Sequence, residues 1–141
     1  MKTKTTLQKL ISFTQKEIDH LLVKKSNLEF EIKSLKDKIV ALQESLDYEL
    51  QLQSLRNETF DRYYIAKFMD HQLNKQKEIN IQIESTKVIL DSFIQEIINK
   101  EIDKKTYEHL VNEYLIEEQR LMDKQEQNMI DEYALRIKDS G

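Results

Sequence analysis

The chain has no cysteine, no proline and no tryptophan, and its one glycine is the last of its 141 residues. Without cysteine there can be no disulfide, thiolate metal site or redox thiol. Without proline or an internal glycine, the usual marks of turns and helix ends are gone. A single terminal glycine cannot build a phosphate-cradling loop, and nucleophile-elbow and zinc-ligand spacings are also missing. Aromatic residues are only 8% of the chain, which leaves little material for a globular core. No run approaches the ~20 apolar residues of a membrane span. The polar start Met1-Lys2-Thr3-Lys4-Thr5-Thr6 leads into an amphipathic segment rather than the apolar stretch of a signal peptide. The expectation is a non-enzymatic cytoplasmic protein, with no cofactor, no metal and no direct membrane insertion.

What is present is helix-forming material. Charged residues make up 34%, with Leu, Ile, Lys, Glu and Gln abundant, the composition of long helices and coiled coils. Steps of four and three pick out Leu7, Ile11, Thr14, Ile18, Leu21, Lys25, Leu28, Ile32, Leu35, Ile39, Leu42 and Leu46. Only Thr14 and Lys25 interrupt this seam, which predicts a long coiled-coil helix. Thr5-Thr6-Leu7-Gln8 has capping-box spacing and predicts a start near Thr5 or Thr6. Lys25 is expected to snorkel outwards.

The register is expected to fail after Leu46, because Glu49 and Gln53 fall on seam positions. Asn57 or Thr59 could cap a new helix. The fold class predicted is all-α: a long two-helix antiparallel coiled-coil hairpin forming a single unit over 1–141. Helix 1 should cover about 5–54, the turn about 55–59 and helix 2 about 60–138. The stripe of helix 2 includes Phe68 or Met69, Leu73, Ile79, Ile83, Leu90, Phe93, Ile97, Tyr107, Val111, Tyr114 and Leu121. Folding back near Asn57 would set Leu46 beside Phe68 and Leu7 beside Tyr107. Residues beyond about Leu110 would then form an overhang of roughly 30 residues, about 45 Å of helix. That overhang still carries Leu110, Val111, Tyr114, Leu115, Leu121, Met122, Met129, Ile130, Tyr133 and Ile137. A lone helix gains little from such a face, so it should fray or insert into a host.

The net charge of −4 is uneven. Residues 1–40 hold nine lysines against five acids, and the remainder hold thirteen bases against twenty-one acids. That is not the basic stripe of a nucleic-acid binder, and no nucleic-acid partner is expected. Glu17-Ile18-Asp19-His20 matches half of a di-iron helix-bundle site. With Ile18 and Leu21 in the seam, however, Glu17 falls on its flank and His20 outside. Tyr48, Phe60, Tyr63, Tyr64 and Phe68 gather five of eleven aromatics around the expected turn. They either plug the wide end of the hairpin or anchor a partner.

Three stretches resemble the FliJ/YscO family of type III export stalk proteins. They are Leu7-Gln8-Lys9-Leu10-Ile11 leading to Lys16-Glu17-Ile18-Asp19, then Leu46-Asp47-Tyr48 with Tyr64, Phe68 and Leu73, and finally Met129-Ile130-Asp131-Glu132-Tyr133-Ala134-Leu135-Arg136. The last is the most specific. Unlike the family, this chain has no glycine at the tip. The resemblance implies a stalk-like component of a flagellar or virulence export apparatus, peripheral at the membrane. Its implied partners are the export ATPase hexamer, the cytoplasmic part of the export gate membrane protein, and export chaperones. It implies gate contact by Tyr48, Phe60, Tyr64, Phe68 and Leu73. It implies ATPase-ring contact by Met129, Ile130, Tyr133 and Arg136. Two other readings compete: a homodimeric tethering coiled coil running straight through the 57 region, and a free-standing helical holdase.

Overall fold

The computed structural model describes residues 3–56 and 59–140, with side chains placed over 3–55 and 62–139. It contains two helices, α1 (Lys4–Arg56) and α2 (Thr59–Ser140). They pack against each other as an all-α helical hairpin. Residues 57 and 58, and with them the Asn57 cap, lie outside the described residues. Of the expected turn at 55–59, Leu55 and Arg56 belong to α1 and Thr59 to α2.

The first turn of α1 is capped by Thr3. The Thr6 amide donates to Thr3 Oγ1 at 3.2 Å, and the Leu7 amide donates to the Thr3 carbonyl at 2.9 Å. Thr3 is thus the N-cap and Thr6 sits at the third helical position. This corrects the start expected at Thr5 or Thr6. A threonine cap needs only one hydroxyl three residues before a free amide, and Thr3 supplies it without the glutamine of a capping box.

Two packing units divide these helices, one made of residues 1–19 with 98–141 and the other of residues 20–97. In the 20–97 unit, Ile32, Leu35 and Ile83 form the core, with Ile39, Ile79 and Leu90 packed against them. Leu21 and Leu46 are also buried. Gln76 Nε2 donates to Gln43 Oε1 at 3.3 Å, and Lys24 Nζ lies 5.6 Å from the Phe93 ring centre. These pairs centre on about residue 59 rather than 57. Leu46 therefore falls about one helical turn away from the expected level of Phe68.

The register does not fail at Leu46 either. Glu49 is half-buried and Gln53 buried, so the seam runs on with polar residues in it. Gln53 Nε2 donates to Glu49 Oε1 at 3.2 Å, which absorbs part of the polarity. On α2 the same periodicity places Gln72 and Thr86 in the seam, both buried. Thr86 Oγ1 donates to the Gln82 carbonyl at 2.8 Å, so its hydroxyl is satisfied within its own helix. Leu73, expected in the stripe, is 49% exposed. Lys25 is half-buried and its amine meets Glu29 at 2.9 Å, which is the snorkelling geometry.

In the unit of 1–19 and 98–141, Leu7, Thr14 and Ile18 are buried. Across from them Lys100, Lys104, Tyr107, Val111 and Tyr114 are half-buried at alternating steps of four and three. The aliphatic stems of Lys100 and Lys104 serve as seam material while their amines reach water or acids. Lys100 Nζ meets Glu17 at 2.8 Å, and Lys4 Nζ meets Glu118 at 3.1 Å. Pairing thus extends to Glu118, and the overhang is shorter than expected from Leu110. Leu121, expected in the stripe, is exposed.

Candidate functional site

Two regions carry the residues singled out above. The first is the part of the 20–97 unit that flanks the turn. Tyr64 and Phe68 are four residues apart on α2, hence on one face. Their rings stack with centroids 6.3 Å apart and planes 19° from parallel. Tyr64 is 51% exposed while Phe68 is half-buried, so one ring of the pair is partly covered and the other stands in water. Tyr48 and Tyr63 are also exposed, and Lys67 Nζ sits 4.8 Å from the Tyr63 ring centre. The side chain of Phe60 lies outside the described residues.

Leu73 does not join this group. At 100° per residue it lies about 180° around α2 from Tyr64 and about 140° from Phe68. It lines a separate shallow groove on the outer surface of α2 together with Ile81 and Val88. The five candidate gate residues therefore do not make one patch.

The second region is the C-terminal part of α2. From Leu115 to Asp139 every residue is exposed. The steps of four and three continue there as Glu118, Leu121, Gln125, Asn128, Glu132 and Leu135, a mostly polar line. Met122 and Met129 lie only about 40° from Glu118 and Gln125, whereas Leu115, Tyr133, Ile137 and Ile130 lie about 80–140° round from Gln125. Met129, Ile130, Tyr133 and Arg136 come together, with Glu132, around a shallow groove of about 400 Å³. All four candidate ring-contact residues therefore share one face.

No protein-family model, curated protein or solved structure matches the chain. The geometry and the residues quoted above are what bear on its role.

Charge on the bare segment is mixed, with seven acids and four bases over 115–140. Arg120 is bound to Glu117 by two hydrogen bonds, of 2.6 and 3.0 Å. The hydrogen bond to Arg120 holds the Glu117 carboxyl below the ordinary glutamate range, and the same contact raises the Arg120 guanidinium. Gln119–Asp123 and Gln127–Asp131 side chains bond at 2.9 and 3.0 Å. These four-residue links stabilise a helix that packing leaves unsupported.

Glu17 is engaged by Lys100, and His20 is exposed. Among the described residues no group of three or more His, Asp or Glu side chains could hold a metal ion. No helix is long and apolar enough to cross a membrane, among the described residues. Residue-type reading missed the polar seam members Gln72, Gln76, Thr86, Lys100 and Lys104. Continuing the steps of four and three from Ile79 and Ile83 in both directions would have reached all five.

Proposed function

We propose that this protein is a non-enzymatic, stalk-like component of a type III or flagellar export apparatus. It docks by its C-terminal segment in the export ATPase ring, and couples that ring to the export gate and to chaperones at the cytoplasmic face of the membrane. The observation that carries the reading is the exposed stretch from Leu115 to Asp139. Its apolar residues lie open to water, and Lys4 of α1 reaches it at Glu118. Isolated helices draw most of their stability from packing such a face. A host that surrounds a single helix, such as a ring pore, would supply that packing. The grouping of Met129, Ile130, Tyr133 and Arg136 about one groove coincides with the segment most similar to the family. The half-exposed Tyr64–Phe68 stack is the best-formed candidate for gate contact.

The straight-through tethering coil loses its basis, because α1 is packed on α2 of its own chain. The test of the proposal is capture by the hexameric export ATPase of the same organism. The full chain should be retained, whereas a chain ending at Asn128, or one carrying Met129→Ala with Tyr133→Ala, should be lost. Equal retention of all three would refute ring docking through this segment. Phe68→Ala should weaken binding to the gate's cytoplasmic part while helicity stays unchanged, and undiminished binding would remove the tip from the reading.

A further inference from the structure

The 20–97 unit carries an apolar face besides the hairpin seam, of which only Leu73 was among the candidate gate contacts. It lies on the outer surface of α2, around a groove of about 690 Å³. Leu73, Ile81 and Val88 are 49%, 58% and 69% exposed along it. Lys77 and Glu84 run down its midline, and Asn80 completes the floor. At 100° per residue these six side chains fall within about 60° either side of Lys77, roughly 150° from the seam. The face therefore stays open when the hairpin is closed.

We infer that this face binds a second copy of the same chain, with the two α2 helices antiparallel about a two-fold axis between Asn80 and Ile81. The charge pattern selects the partner. In that arrangement Lys77 meets Glu84 of the second copy, and Glu84 meets its Lys77. Ile81 of one copy meets Ile81 of the other at the centre. Leu73 comes level with Val88 of the second copy at each end. A parallel pairing in register would set lysine on lysine and glutamate on glutamate, which is repulsive. The contact is isologous, as two-fold dimers require.

Its extent is bounded. Asp70 and Asp91 fall on the same line, and each would meet the other's counterpart, so the contact ends at Leu73 and Val88. About 23 Å of helix is too short to bury the ~1,200 Å² of a standard stable interface. The dimer is accordingly weak and concentration-dependent, with dissociation on the order of tens to hundreds of micromolar.

Sedimentation equilibrium of the full chain from about 5 to 500 µM tests the inference. Self-association should appear in that range. Lys77→Glu and Glu84→Lys, each alone, should weaken it about tenfold or more, since each places like charges together twice per dimer. The double swap Lys77→Glu with Glu84→Lys should restore it to within about threefold. Ile81→Arg should abolish it. Met129→Arg, in the C-terminal segment, should leave it unchanged, which separates this contact from any docking of that segment. All variants substitute exposed positions, and circular dichroism verifies that they remain helical. A monomer throughout the range, a double swap that fails to rescue, or loss of association with Met129→Arg instead of Ile81→Arg would overturn the inference.

Discussion

Replacing Gln72 with leucine should raise the stability of the hairpin. Gln72 is 8% exposed in the α2 seam, and its side-chain oxygen is buried without a hydrogen-bond partner. A buried acceptor left unmet costs about 1–3 kcal/mol, because its bond to water is lost and nothing replaces it. Leucine removes the acceptor and keeps most of the buried hydrocarbon, so the gain in transfer energy is a smaller addition. The net expectation is about 1–3 kcal/mol. For a chain of this size, about 3–5 °C of melting temperature follows each kcal/mol, giving a rise of roughly 3–15 °C. Thermal unfolding followed by helical circular dichroism at a fixed protein concentration measures it. Gln95→Leu, at an exposed position of the same helix, should shift the midpoint by no more than about ±0.5 kcal/mol. A melting temperature for Gln72→Leu equal to or below that of the parent would refute the reasoning. It would mean that the buried oxygen is hydrated and that the seam there is not dry.

Ile18→Ala removes a side chain that is 1% exposed and should cost about 2–4 kcal/mol in urea unfolding, against little change for Ile116→Ala at a position 62% exposed. A double-mutant cycle on Glu17 and Lys100, both about one-third exposed, should return a coupling below about 1 kcal/mol. Glu117 should titrate below an ordinary glutamate in a carboxyl-resolved NMR titration, and Arg120→Gln should return it towards the ordinary value. Its folded value is depressed, so the contribution of this contact to C-terminal helicity is present at neutral pH. It is lost as pH falls through that lowered value.

The apolar periodicity from Leu7 to Leu46 was enough to read α1 and its buried face, because leucine and isoleucine at seam positions leave no other arrangement. The polar seam positions were harder. Gln53, Gln72, Lys100 and Lys104 are ordinary surface residues by type, and only their spacing places them inside. The two helices were legible but their pairing was not. Helix–helix register depends on how two ridges interlock, and Gln43–Gln76 and Lys24–Phe93 report that only in three dimensions. Among the site residues, Met129, Ile130, Tyr133 and Arg136 were legible as one face from helical spacing alone. Leu73 was grouped with Tyr64 and Phe68 by the family likeness, although the 100° step sets it on another face of α2.

The exposure of every residue from Leu115 to Asp139 has a mechanical consequence. Lengthening α1 by two or three turns would lay it against Leu121, Gln125 and Asn128, with Met122 at its flank. Ile130 lies about 140° round from Gln125, so a longer first arm would cover only part of the apolar surface of this extension.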